Sequence, residues 1–138
     1  MFSGDYLMAV AFFFERENGN PLGENELAEI KEHGLEFADA EAIARQLQLS
    51  LGGNPLSADA RASIYWALSK RFDDSLLPFF QESLARELGE DNSPVFQVMI
   101  ALDNLNQPVF SKGREGSFSV LDDELNRGDA AAYLKEIN

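Results

Sequence analysis

The sequence predicts an all-α fold, a compact array of about six or seven helices in one domain. Three apolar stripes follow one another between Ser57 and Phe110, each with the three-to-four-residue spacing of one helix face. The length of 138 residues suits one domain, and 45% hydrophobic residues with 11 phenylalanines can supply its core. We therefore expect a single helical domain over 1–138, with N-terminal helices in 1–56, a core in 57–110, and a loop and helix in 111–138.

The N-terminal part begins with Leu7 to Phe14, an unbroken apolar run. This run is too short to cross a bilayer, and it lacks the basic leader and the cleavage site of a signal peptide. A buried first helix is the favoured interpretation, and a central strand is the alternative because the run suits either. Turn-forming residues at 18–21 follow it.

Two further helices are predicted before the core. The first extends over about 25–33 and ends at Gly34, with Leu27 and Ile30 facing inward and a row of glutamates facing outward. The second begins at Phe37 or Asp39 and ends near residue 49. Its inward residues are Ile43, Leu47 and Ala40, and residues 52–55 form a joint that could act as a hinge.

Each helix of the core has a start or stop signal. Ser57 can cap the first helix, and Asp73-Asp74 can end it and cap the second. Pro78 lies in the first turn of the second helix, where a missing amide hydrogen costs little, and Gly89 ends that helix. The third helix starts at Ser93-Pro94. The inward residues are Ala60, Ile64, Ala67, Leu68 and Phe72, then Leu77, Phe80, Leu84 and Leu88, then Val95, Val98, Met99, Leu102 and Leu105.

In the C-terminal part, the sequence predicts a polar connection, a short turn and a final helix. Residues 112–117 are polar and rich in glycine, so we expect a mobile segment. Ser119 with Asp122 resembles a capping box for a short turn that Gly128 stops. Asp129 then caps a final helix. The residues of that helix available for docking are Ala132, Tyr133 and Ile137.

The first and third core helices also match each other. At an offset of 34 residues, Ile64–Leu68 aligns with Val98–Leu102. A period near this value, built from paired helices, is typical of helical repeat arrays. With their Ala-Leu pairs, Ala67-Leu68 and Ala101-Leu102, the two helices resemble the first helices of HEAT-like repeats. The resemblance implies antiparallel helix pairs in the centre, with 77–88 as a second helix, whereas an ordinary helical bundle is the alternative.

Charge and composition restrict the partners. The net charge is −13, from 24 acidic and 11 basic residues distributed along the chain. A field of this sign repels nucleic acids and anionic membranes, and it attracts basic proteins. The absence of cysteine excludes disulfides and thiolate sites, and it agrees with a reducing cytoplasm. We expect a cytoplasmic protein with a basic protein partner, although acidity could also serve solubility alone.

No catalytic or cofactor-binding motif is present. His33 is the only histidine, and Glu29 four residues before it could share a metal with it, but two ligands do not make a site. The glycines form neither a phosphate loop nor a dinucleotide fingerprint. Arg127-Gly128-Asp129 is explained by a helix stop and a cap. We therefore expect neither an enzyme nor a bound cofactor or metal.

In size, charge and lack of catalytic residues, the chain resembles bacterial immunity proteins, which cover the active site of a toxin domain. The resemblance implies a basic partner, such as a nuclease toxin. A scaffold that holds a peptide in an apolar groove is the alternative, and an enzyme without a recognisable motif is a third. Tyr65 and Trp66 either contact the partner or pack against a neighbouring helix. The candidate contact residues are Asp73, Asp74, Glu90, Asp91, Asp122, Asp123, Glu124, Tyr65 and Trp66.

Overall fold

A computed structural model describes residues 2–53, 55–114 and 119–138 of the chain, and over these residues the all-α prediction is confirmed. None of the helices in these three ranges is long and apolar enough to cross a membrane. The described helices are α1 (Gly4–Glu17), α2 (Glu24–Glu32), α3 (Ala40–Gly52), α4 (Ala58–Ser69), α5 (Leu77–Leu88), α6 (Val95–Asn104) and α7 (Asp123–Ile137), with 3₁₀ turns at Asp74–Leu76 and Lys112–Arg114.

The chain divides into two compact units, Met1–Arg71 and Phe72–Asn138. In the first unit, α1 packs against α2, α3 and α4, and α3 also packs against α4. In the second unit, α5, α6 and α7 pack against one another. Each unit therefore has its own apolar core. The resemblance to HEAT repeats stays a prediction.

The core of the first unit is built around α1. Ser3 caps this helix, because its hydroxyl accepts a hydrogen bond from the Tyr6 N–H at 3.1 Å. Phe13 and Phe14 are completely buried, and their ring centroids lie 5.8 Å apart. The prediction that Leu7 to Phe14 forms a buried helix is confirmed, because an apolar helix with neighbours on several sides can bury both rings.

Around α2 and α3 the helix bounds agree with the sequence to within a few residues, but two apolar residues do not face inward. Gly34 ends the turn after α2 at φ +72°, a conformation that favours glycine. Ile30 is buried as expected, whereas Leu27 is 43% exposed, so its predicted inward position was wrong. Phe37 lies in the loop before α3 and is 92% exposed, because α3 begins only after Asp39.

The matched pentapeptides of α4 and α6 share one pattern of burial. Ser57 caps α4 as predicted, since its hydroxyl accepts from the Ala60 N–H at 3.1 Å. Trp66 and its counterpart Ile100 are the partly exposed positions of the two stretches, and the other four positions of each are buried. Phe72 was predicted to face inward on the same helix, and this prediction was wrong. It follows the end of α4 with φ +51° and lies half exposed, because the helix stops three residues earlier.

Ser93 does not cap α6 as the sequence predicted. Its hydroxyl donates to the backbone carbonyls of Glu87 and Glu90, so it closes the end of α5 instead. Helix α6 starts after Pro94 and has no side-chain cap. The reason is burial: Ser93 points into the joint, where the Glu87 and Glu90 carbonyls at the end of α5 accept from its hydroxyl.

The C-terminal predictions need three corrections. Gly128 does not stop a turn, because α7 continues through it as one helix. Asp129 is not a cap, since its carboxylate binds Arg114 at 2.7 Å. Arg114 is buried rather than part of a mobile loop, while residues 115–117 of the predicted mobile segment lie outside the described residues. Among the predicted docking residues, Tyr133 is buried, whereas Ala132 and Ile137 are exposed.

Candidate functional site

The seven candidate carboxylates all belong to the second unit, and the two candidate aromatic residues belong to the first. Six of the carboxylate side chains are exposed, and Asp73 is partly exposed. Tyr65 is 0% exposed, so of the two alternatives given for it the structure agrees with packing inside the protein. It faces the core of the first unit, where a ring contributes more by burial than at the surface. Trp66 remains 36% exposed, with the Lys70 ammonium 5.8 Å from its ring centroid.

The acidic joints do not all come together. Asp73 and Asp74 precede α5, whereas Glu90 and Asp91 follow it, and a helix of 12 residues is about 18 Å long. The two pairs therefore lie at opposite ends of α5. Asp73 acts locally, because its carboxylate accepts from the Ser75 N–H at 2.9 Å in the 3₁₀ turn.

Two of the three clusters do share one end of the second unit. Arg127 Nε binds the Asp123 carboxylate at 2.9 Å, and Arg127 Nη2 donates to the Ser93 hydroxyl at 3.0 Å. The Ser93 hydroxyl in turn donates to the Glu90 carbonyl at 3.0 Å. Arg127 thus brings the first turns of α7 to the α5–α6 joint, and places residues 122–124 beside residues 90 and 91.

Exposed apolar side chains accompany these carboxylates. Leu121 is 88% exposed, and Val120 and Leu125 are each more than half exposed. We call the combined surface the acidic end, and it consists of Glu90, Asp91 and residues 120–125. The sequence analysis missed its apolar part, although the signal was present: in Val-Leu-Asp-Asp-Glu-Leu, apolar residues flank a run of three carboxylates, and a segment that only caps a helix does not need them.

A buried polar cluster holds the acidic end in position. The Arg114 guanidinium donates to the Asp129 carboxylate at 2.7 Å and to the Asn126 side-chain oxygen at 2.6 Å. Asn126 donates to the Ser119 carbonyl at 2.9 Å, and the Ser111 N–H donates to Asp129 at 3.0 Å. The connection from α6 to α7 is therefore fastened to α7 at both of its described ends.

The same cluster perturbs one carboxyl group. Partial burial by itself would raise the pKa of Asp129, but hydrogen bonds from the Ser111 N–H and from Arg114, together with the guanidinium charge, outweigh it. The resulting pKa of Asp129 lies below its ordinary value. The carboxylate is consequently ionised and paired at neutral pH, which is the state that anchors the connection.

The second unit also contains an apolar groove of about 400 Å³ between α7 and residues 107–112. Val109, Phe110 and Ile137 line its apolar part, and Lys112 and Glu136 contribute opposite charges. The Tyr133 hydroxyl at the groove donates to Gln107 at 2.6 Å and accepts from Gln81 at 2.9 Å. Because both partners are within the unit, Tyr133 fixes the groove wall.

His33 contacts Glu29 and Tyr6 within the first unit. Its Nδ1 lies 3.6 Å from the Glu29 carboxylate and 3.0 Å from the Glu29 carbonyl, and its ring contacts Tyr6 edge-on. Over the described part of the chain, no three His, Asp or Glu side chains are placed to hold a metal ion. The histidine therefore acts as a local contact between α1 and the end of α2.

Comparison of the chain with protein-family models, with curated proteins and with solved structures returned no match.

Proposed function

We propose that this protein is a non-catalytic binding module that docks onto a basic protein through the acidic end of its second unit. The observation that carries the proposal is the pairing of exposed carboxylates with exposed aliphatic side chains on one ordered surface. Carboxylates at a rim steer a basic partner and fix its register, while desolvated apolar contacts supply most of the affinity. In this interpretation the chain acts as an immunity protein that occludes a basic toxin domain, such as a nuclease.

Two further features support this assignment. The second unit carries 13 acidic and five basic residues, so its field favours a cationic partner over a nucleic acid. The polar cluster around Arg114 fixes the surface before binding, and this reduces the ordering cost that association must overcome.

The decisive experiment expresses the basic domains that the neighbouring coding regions encode and measures whether this chain binds one of them. The triple variant Asp122→Asn, Asp123→Asn, Glu124→Gln removes three charges from the acidic end. We expect its affinity at low salt to fall by about tenfold, mainly because association slows, and the difference to shrink as salt screens the charges. Titration calorimetry and association kinetics at two salt concentrations measure both effects.

The matched control removes three other exposed carboxylates of the same unit, in Asp74→Asn, Glu82→Gln, Asp103→Asn. Asp74 precedes α5, Glu82 lies in the first half of α5 and Asp103 lies late in α6, so all three are away from the acidic end. An equal loss in both triple variants would show that only total charge matters. Absence of any salt-sensitive complex with the unmodified chain, or of protection against the partner in cells, would contradict the proposed function.

The apolar groove favours a second candidate, an adaptor that holds a peptide, consistent with the HEAT-like alternative. Ala132 is exposed and lines this groove, so Ala132→Trp would fill it. Loss of partner binding in Ala132→Trp, with full binding in the Asp122/Asp123/Glu124 variant, would show that the partner binds at the groove and not at the acidic end.

A further inference from the structure

The first unit presents one aromatic side chain in an unusual way. Phe37 is 92% exposed, and it lies in the seven-residue segment 33–39 that joins α2 to α3. Two apolar residues a little further along the chain in each direction behave differently, because Leu35 and Ala40 are buried. Within six residues the chain thus buries two smaller side chains and leaves the largest one in water.

This exposure is imposed by an ordered loop. The Leu35 N–H donates to the Ile30 carbonyl at 2.9 Å, and the Ala38 N–H donates to the Leu35 carbonyl at 3.2 Å. From α1, the Arg16 guanidinium donates to the Glu36 carbonyl at 2.9 Å. Backbone contacts on both sides of Phe37 therefore hold its ring outward, and the core of the unit closes without it.

Carboxylates surround this ring along the chain. Residues 24–41 contain seven acidic residues and one lysine. Glu36, Asp39 and Glu41 are all exposed, and within the described residues only the Glu41 carboxylate of these three forms an ion pair, with Arg45 at 3.5 Å. An exposed aromatic side chain inside an acidic surface fits an apolar pocket whose rim carries lysine or arginine, because the ring fills the pocket and the carboxylates pair with the rim.

We propose that Phe37 is an anchor residue that inserts into an apolar pocket on a basic protein, with Glu36, Asp39 and Glu41 contacting the basic rim of that pocket. This inference rests on the proposed function and adds a second contact surface, on the first unit, to the acidic end of the second. A rigid aromatic anchor loses little side-chain freedom on binding, and aromatic residues of this kind dominate the energetics of many interfaces.

The test uses the full chain and the basic domains that the neighbouring coding regions encode. Phe37→Ala should weaken the complex by about tenfold or more, chiefly through faster dissociation. The control Leu49→Ala removes another exposed apolar side chain of the same unit, on α3, and should change the affinity by less than about twofold. Thermal unfolding of the free Phe37→Ala chain should match that of the unmodified chain, since the ring contributes almost nothing to the core.

The outcomes separate this inference from the function on which it rests. If the unmodified chain forms no complex, both are wrong. If it forms a salt-sensitive complex that the acidic-end triple variant weakens and Phe37→Ala leaves unchanged, only the anchor is wrong. If Leu49→Ala weakens the complex as much as Phe37→Ala does, the anchor proposal is wrong, because any exposed apolar side chain of the unit would then contribute equally. The triple variant Glu36→Gln, Asp39→Asn, Glu41→Gln should weaken binding at low salt and flatten its salt dependence.

Discussion

Helices α4 and α6 match each other in sequence at an offset of 34 residues and bury the same positions. The contacts that pack the other helices of each unit against them are different. In the first unit, α4 packs against α1 and α3, and the rings of Phe13 and Phe14 fill the core. In the second unit, α6 packs against α5 and α7, and polar contacts through Tyr133 and Arg114 complete the packing.

The difference follows from how the chain reaches the last helix of each unit. Short joints connect the helices of the first unit, so apolar stripes alone can bring them together. In the second unit, 18 residues separate α6 from α7. The described part of this connection buries Leu105 and Val109, and it is also fixed by hydrogen bonds to α7, which require specific partners in addition to burial.

The largest effects should come from the matched leucines. Leu68→Ala and Leu102→Ala each remove a completely buried side chain, so each should lower the free energy of unfolding by about 2–5 kcal/mol. Urea unfolding followed by circular dichroism measures both changes, and fluorescence of Trp66, the only tryptophan, reports on the first unit. A cost for Leu102→Ala below about 1 kcal/mol would break the equivalence of the two helices.

A smaller effect should distinguish the polar cluster of the second unit. Asp129→Asn removes the charge that Arg114 pairs with, and it should lower the free energy of unfolding at neutral pH by about 1–3 kcal/mol. The exposed control Asp91→Asn should change the free energy of unfolding by less than about 0.5 kcal/mol.

The pH dependence of the same variant gives a second readout. Because folding lowers the pKa of Asp129, its contribution to stability is complete above the ordinary aspartate pKa of about 3.9. That contribution is lost as pH falls through the lower, folded pKa. The difference in the free energy of unfolding between the unmodified chain and Asp129→Asn should therefore be constant between about pH 5 and pH 8. It should become smaller below about pH 4. A difference that persists unchanged at low pH would contradict an ionic role for Asp129.

The smallest effects should come from one glycine in each unit, and they should have opposite signs. Gly34 has φ +72°, so Gly34→Ala should destabilise the chain by about 1 kcal/mol. Gly128 lies inside α7 with open space around it, so Gly128→Ala should stabilise the chain by about 0.5–1 kcal/mol. Thermal unfolding of both variants tests this, and stabilisation by Gly34→Ala would contradict the left-handed backbone at that turn.

Signals that act within a few residues were sufficient for most of the fold. The Ser57 cap, Pro78 in the first turn of α5 and the stop at Gly34 all function as the sequence predicted, because each depends on the backbone of its own turn. The same locality explains two errors. Ser93 has the residue type of a cap, but it bonds to the end of α5 and to Arg127 instead. Gly128 has the residue type of a stop, but α7 continues through it.

The candidate surfaces show the same division more sharply. Sequence patterns alone indicated an all-helical, strongly acidic chain, the apolar stripes, and the carboxylates at the helix joints. Only the tertiary structure decided that Asp122–Glu124 lies beside Glu90 while Asp73 lies at the other end of α5, that Tyr65 is buried, and that Phe37 is held in water. The physical reason is that helix formation depends on neighbours three or four residues away, whereas exposure depends on which helices pack together.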